Sequence, residues 1–307
     1  MSIGNASETT IAFIAEATAG TTPATPAFQN LRVTSESLTR DKTLIASTEL
    51  NANPAVRDLI DNGGTVSGEI GFELSFGASD TDKLLEAALR GTFASNVLKA
   101  GSDQDSLTFE VLHETGATDR YFRFTGCRIN TLTLNVRAAE IVTGTAAVMG
   151  MGHSVGTAII TGATYGAANS NAVMSSADVG SIAVTGVSSP IFYQDLSFTV
   201  TNNLRALSAI GNTDSIAIGY GTRSVTGTVN AYFENTELYD RFVAGTETDL
   251  TLTLTDGTNN YAVTFPRIKL TSGQVTATGQ NNDLMAECAF QAIYDATDAT
   301  DIKIDNS

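Results

Sequence analysis

The chain has 307 residues, 42% apolar and 16% charged, so composition allows a packed core and argues against global disorder. Against 33 acidic side chains stand 17 basic ones, a net charge of −16 spread over both halves, with 18 acidic and 11 basic residues up to residue 150 and 15 and 6 after it. That balance excludes tight binding of a phosphate backbone, which needs Lys and Arg to displace counterions, and no apolar run reaches the length of a membrane helix.

Residues 1–28 are small and polar around Thr21, Thr22, Pro23 and Pro26, with one short apolar cluster at residues 11–14. They read as an arm outside the core, either a disordered terminus or a segment that docks on a neighbouring subunit. No basic stretch leads into a continuous apolar one, so the expectation is a protein made and folded in the cytoplasm. A strand begins at Phe28. After Arg40 a long connection runs through Asn51, Asn53, Pro54, Asp61, Asn62, Gly63 and Gly64, which predicts an extended hairpin or loop reaching beyond the body.

From residue 64 to 75, Val66, Gly68, Ile70, Phe72 and Leu74 alternate with Ser67, Glu69, Gly71, Glu73 and Ser75, a period of two that predicts a strand with one buried face. The period then becomes helical, with Leu84, Leu85, Ala88 and Leu89 on one stripe, Thr81 as an N-cap type and Gly91 as a stop. Strands follow through Leu107, Phe109 and Val111, through Tyr121, and over residues 140–149. Residues 150–189, rich in Gly, Ala, Ser and Thr, read as a tether with strand-like pieces at 158–161 and 181–185.

The second half repeats the first. Val225, Gly227, Val229, Ala231 and Phe233 keep the strand's phase, and Leu238, Tyr239, Phe242 and Val243 repeat the helical stripe between Asn235 and Gly245. Upstream, Gln29, Asn30 and Leu31 match Gln194, Asp195 and Leu196, and Arg40 matches Arg205; downstream, Leu107, Phe109 and Val111 match Leu250, Leu252 and Leu254, and residues 140–149 match 283–292 without a gap. Residues 206–222 form a shorter counterpart of the long connection. The organisation expected is an arm (1–28), a first β unit (29–150), a linker with short strands (151–189), a second β unit (190–294) and an acidic tail (295–307). The tail's Asp295, Asp298, Asp301 and Asp305 lie among weakly apolar residues, and it is expected to fray.

Catalytic signals are missing. His113 and His153 are too few for a histidine metal cluster and read as solvated loop residues. Asp80 with Asp82 and Asp103 with Asp105 do not fit a twelve-residue calcium loop, and helix capping accounts for the first pair. The glycines at 150, 152 and 156 have the wrong spacing for a dinucleotide loop, and no GxSxG occurs. Cys127 and Cys288 lie in predicted strands without a CxxC partner and read as buried free thiols or as a disulfide between the repeats. Neither an enzyme nor a cofactor is expected, although carboxylate pairs for glycoside hydrolysis meet only in three dimensions.

The ordered motifs resemble the tail tube proteins of long-tailed, non-contractile bacteriophages. They are TTPATPAFQ from Thr21 to Gln29, SGEI from Ser67 with its LLEAAL helix, FTGC from Phe124 leading to Asn130, Thr131 and Leu132, EIVTG from Glu140, and FPRIKLTSG from Phe265. The resemblance implies a mainly β fold of two tandem β-sandwich or half-barrel units, each flanked by one short α-helix. It implies rings that stack into a hollow tube for genome exit, with three duplicated chains imitating a hexamer. The chain itself, a tail terminator, tail tip proteins and a tape measure protein become the expected partners, with double-stranded DNA passing transiently, no membrane, and the virion tail as the location. An acidic lumen would repel phosphates, and Glu69, Glu73, Thr226 and Thr228 are the candidates to face it, on strands whose other face the helices are expected to cover. Thr21, Pro23, Pro26, Asn51, Pro54, Arg57, Asp58, Asp214 and Tyr220, in the arm and the two long connections, are the candidates for ring and stack contacts. Two alternatives stand beside this: a secreted or cell-surface β-repeat protein such as an adhesin or surface-layer subunit, and an enzyme acting on host polysaccharide.

Overall fold

The computed structural model describes residues 4–50, 53–116, 118–187, 191–277 and 279–307. Alternating apolar and polar residues place most of them in strands, because a period of two gives each strand one face to bury. The first half holds β1 (Thr10–Glu16), β2 (Ala27–Leu31), β3 (Ser35–Glu36), β4 (Thr39–Ala46), β5 (Leu59–Glu73), helix α1 (Thr81–Leu89), β6 (Val97–Lys99), β7 (Ser106–His113), β8 (Arg120–Arg137) and β9 (Thr143–Gly150). A connecting stretch adds β10 (Gly152–Gly156), β11 (Thr164–Gly166) and β12 (Val179–Val184). The second half holds β13 (Tyr193–Thr201), β14 (Arg205–Leu207), β15 (Ala217–Gly219), β16 (Ser224–Tyr232), helix α2 (Glu237–Ala244), β17 (Thr248–Thr255), β18 (Asn260–Thr276), β19 (Met285–Ala292) and β20 (Lys303–Asn306). Among the described residues, eighteen strands join one large mixed sheet, while β14 and β15 form a separate hairpin.

Two long strands organise the sheet. The first part of β8 pairs with β7 and β10, and its last part with β9 and β13. The first part of β18 pairs with β17 and β20, and its last part with β19. Each shifts register midway, between Ile129 and Thr131 against β9 and between Leu270 and Ser272 against β19, the kind of bulge that bends a strand from one layer into another. The β8–β13 ladder joins the halves, so one run of eight strands reads β4-β5-β9-β8-β13-β16-β19-β18.

One hydrophobic cluster spans both halves. At its centre Leu74, Leu85, Leu134, Val136 and Val142 of the first half line a narrow void with Phe198, Leu252, Leu254, Tyr261, Val263 and Ile304 of the second. Asp82, at the start of α1, accepts hydrogen bonds from the Tyr261 hydroxyl (2.5 Å) and the Asn306 amide (2.5 Å), tying the first helix to two strands of the second half. Burial pushes this carboxyl above its ordinary value, against the pull of those two donors. Cys127 and Cys288 are buried free thiols, and burial raises both.

Several expectations are corrected by long-range pairing. The arm is partly core: β1 pairs with β2 on one side and β7 on the other, and Ile11, Ala12 and Phe13 are buried. The tail does not fray, because Ile302 and Ile304 are buried, β20 pairs with β18 and β6, and Asp301 binds Arg223 with both carboxylate oxygens. The linker is paired into the body through β10, β11 and β12, with a strand at 152–156 rather than at 158–161. His113 ends β7 and His153 sits in β10 against Phe122 and Phe124, so neither is a loop residue; burial lowers His153. Asp80 caps α1 from one position before Thr81, and Arg90 in the left-handed region (φ 58) ends it one position before Gly91. Thr236 rather than Asn235 stands at the N-cap of α2, and Gly245 (φ 62) ends it as expected. The first helix lies near β6 and β8 and shares a void with Leu74, just after β5, and the second lies near β18 and β19, where Gly273 lets the Phe242 ring lie against the backbone.

Candidate assembly surfaces

Across the eight-strand run, ladder partners sort the residues onto two faces. Ile70 leads to Ala146, Leu132, Val200 and Val225, all buried. On the opposite face Glu73 leads to Thr143, Asn135, Ser197 and Thr228, and Glu69 leads to Ala147, Thr131 and Thr201. Thr226 joins the same face through Thr199, Thr133 and Thr145. The four candidate lumen residues therefore share one polar face that runs across both halves. Hydroxyls dominate it and bond across strands, Thr133 to Thr199 at 3.0 Å and Ser197 to Thr228 at 2.8 Å. The carboxylates Glu69, Glu73, Asp195 and Glu287 share it with Arg137, opposite Asp195, and with Lys269. The carboxylates are spread along the face, and no group of three or more metal-ligating side chains converges among the described residues.

The phage tail tube protein family matches residues 6–292. The chain belongs to that family. No curated protein matches it closely enough to add a relative. Family membership makes this a structural component of the phage tail tube and of the virion tail, not an enzyme, and implies that copies polymerise with one another. It decides against the adhesin and polysaccharide-enzyme alternatives.

For a polymer-forming tail tube protein, the surfaces that reach away from the core matter next. Both long connections contain hairpins. The β4–β5 hairpin carries Leu44, Ile45, Leu59 and Ile60 exposed near its end, an apolar load that none of the described residues covers. Pro54, Arg57 and Asp58 lie exposed in its tip, and Asn51 lies outside the described residues. The β14–β15 hairpin leans on its base: Gly64 donates its N–H to the Thr213 carbonyl at 2.9 Å, and Arg40 donates to Asp214 at 3.0 Å. Tyr220 is half-buried between the Arg90 and Arg128 guanidinium groups, 3.8 and 4.8 Å from its ring centre. Asp214 and Tyr220 are thus both engaged within the chain. Thr21 is exposed and Pro23 half-buried, whereas Pro26 is buried beside the parallel β2–β11 ladder.

Sequence reasoning missed two features of these surfaces. One is the outer edge of β18 from residue 272 to 276, paired on one side only among the described residues. The other is the difference between the helices: α1 buries Leu84, Leu85, Ala88 and Leu89, while α2 buries only Leu238 and leaves Tyr239 43% and Val243 64% exposed. Identical apolar spacing concealed that difference, since spacing shows a stripe and not what covers it.

Proposed function

We propose that this protein is the tube subunit of a long, non-contractile tail, and that its chain is a tandem duplication of which three copies close each ring. The support for duplication is positional. Ile70 and Val229 hold corresponding places in the β5–β9 and β16–β19 ladders, and Ile129 and Leu270 both precede the bulge of a long strand. Ladder positions set Val148 beside Phe290, both buried, whereas the ungapped sequence match sets it beside Gln291. A slip of one residue turns every side chain over, so the ladder match is the physical one. In the same way Arg40 corresponds to Val200, since each pairs with the equivalent residue, Val66 or Val225, rather than to Arg205.

The observation that carries the conduit reading is the continuous polar face bearing Glu69, Glu73, Thr226 and Thr228, backed by an apolar one. Three copies of its eight-strand run, at about 4.8 Å per strand, give a wall about 115 Å around and a bore about 37 Å across before tilt widens it and side chains narrow it. Carboxylates and hydroxyls on that wall offer phosphates repulsion and few counterion-releasing contacts, so a duplex slides without sticking. Tail terminator, tail tip and tape measure proteins are the proposed partners at the ends and in the bore during assembly.

The test is labelling of Thr228→Cys with a bulky polyethylene-glycol maleimide, before and after assembly into tubes examined by negative-stain microscopy. Native Cys127 and Cys288 are buried, which keeps the background low. The expected result is rapid labelling of free subunits, at least tenfold slower labelling of long tubes, and sixfold rotational symmetry in end views. Equal labelling of tubes and subunits would place the polar face outside and end the conduit assignment.

A further inference from the structure

The junction between the two halves is a completed joint, and the same joint is left open at the two ends of the eight-strand run. Inside the chain the last part of β8 pairs antiparallel with β13, from Thr131↔Thr201 through Thr133↔Thr199 to Arg137↔Asp195. By ladder position β18 corresponds to β8 and the β3–β4 segment corresponds to β13. Yet residues 272–276 of β18 have only β19 beside them, and residues 35–41 have only β5, among the described residues. Gln274 and Val275 are accordingly exposed where their counterparts Thr133 and Leu134 are covered, and Thr39 and Asp41 are exposed on the other edge.

The helices give an independent sign of the same gap. Leu85 is buried, and the narrow void it lines is walled as well by Phe198, Leu252 and Leu254, all from the second half. Its counterpart Tyr239 is 43% exposed, and among the described residues none plays that part for it. By ladder position, which moves the sequence match of Leu254 from Val111 to His113, the residues corresponding to Phe198 and Leu254 are Leu38 and His113. Beside His113 lies an open groove of about 630 Å³, lined by Val33 and Glu36 among others. Among the described residues, an exposed apolar pair on α2 and an open groove are therefore left where the internal joint has a narrow void lined from both halves.

We infer that residues 272–276 of one chain pair antiparallel with residues 37–41 of a second copy, in the register that β8 and β13 use internally, and that Tyr239 and Val243 enter the second copy's groove. The register sets Ser272 opposite Asp41, Gln274 opposite Thr39, Val275 opposite Leu38 and Thr276 opposite Ser37. Val275 and Leu38 then point to the core side, and Gln274 and Thr39 to the polar face, which continues from chain to chain without a break. The contact is head-to-tail, so it either closes into a ring or propagates, and it pairs the backbone groups that an open strand edge exposes. This joint rests on the duplication proposed above.

The experiment is oxidative cross-linking of assembled Thr39→Cys/Gln274→Cys protein, read on a non-reducing gel. Their internal counterparts, Thr133 and Thr199, bring hydroxyls within 3.0 Å, so paired thiols at this spot are close enough to join. The expected result is near-complete linkage in tubes, with the ladder ending at a covalent trimer, and at least tenfold less linkage for Arg40→Cys/Gln274→Cys, where the side chains fall on opposite faces. Tubes in which the slipped pair links as well, or in which neither pair links, overturn the joint and leave the tube reading standing. Should the cysteine variant not assemble, Val275→Lys decides: the side chain is already partly exposed in the free chain, so melting should stay unchanged while tubes are lost, and normal tubes from this variant overturn the joint. A wild-type protein that forms tubes without three-chain rings would instead overturn the reading on which the joint rests.

Discussion

Replacing Leu85 by Ala should weaken both halves of the molecule, although the residue belongs to the first. Leu85 is 1% exposed and lines a narrow void together with Leu74, just after β5, and residues of β8, β13, β17, β18 and β20. The change removes three buried carbons, about 2.4 kcal/mol at ~0.8 kcal/mol each. The strands around the site are held by ladders on both sides and cannot collapse inward, so the added cavity term takes the expected loss to about 3–4 kcal/mol. Urea titration gives the total, and hydrogen exchange followed by peptide gives its distribution. Peptides from β17 and β18 should lose protection together with those from β8 and β9. If protection falls in the first half alone, the halves are separate cooperative units and the shared-core argument is wrong.

Two further outcomes follow from buried charge and from exposed apolar surface. Because burial raises the Asp82 carboxyl in the folded chain, the native state still holds that proton after the unfolded chain has released it, and this group's contribution to stability falls as pH rises from 3.8 toward the folded value. Asp82→Asn should abolish that fall, so the stability of the variant relative to wild type should improve across this window in urea titrations; a difference that does not change with pH would count against the assignment. Ile45→Lys/Ile60→Lys on the β4–β5 hairpin replaces side chains that are already half-exposed, so each change should alter stability by no more than about 0.5 kcal/mol. The pair should nevertheless abolish sedimentable tubes, and normal tubes would remove the hairpin from the assembly contacts.

Local pattern was enough for the strand through Val66, Ile70 and Phe72, for the stripe of Leu84, Leu85, Ala88 and Leu89, and for the shared face of Glu69 and Thr226, since each depends on a period of two or 3.6 within one segment. The short apolar clusters at residues 11–14 and 302–304 carried too few residues to show a period. They became core strands because β7, β18 and β6, remote in sequence, supply their partners. The register of the proposed duplication, in which Val148 answers to Phe290, was also out of reach, because a match by residue type tolerates a one-place slip that a hydrogen-bonded ladder does not.

By itself, the order of residues determined a β-rich, acidic chain with a polar face and an apolar one along its central strands, and it supplied the pattern on which the proposed duplication rests. Only the tertiary structure decided that β8 takes β13 as a neighbour while the edge of β18 stays open, and that α1 is covered while α2 is not. Strand pairing joins backbone groups whatever the side chains, so which edges meet depends on how the whole chain closes around its core.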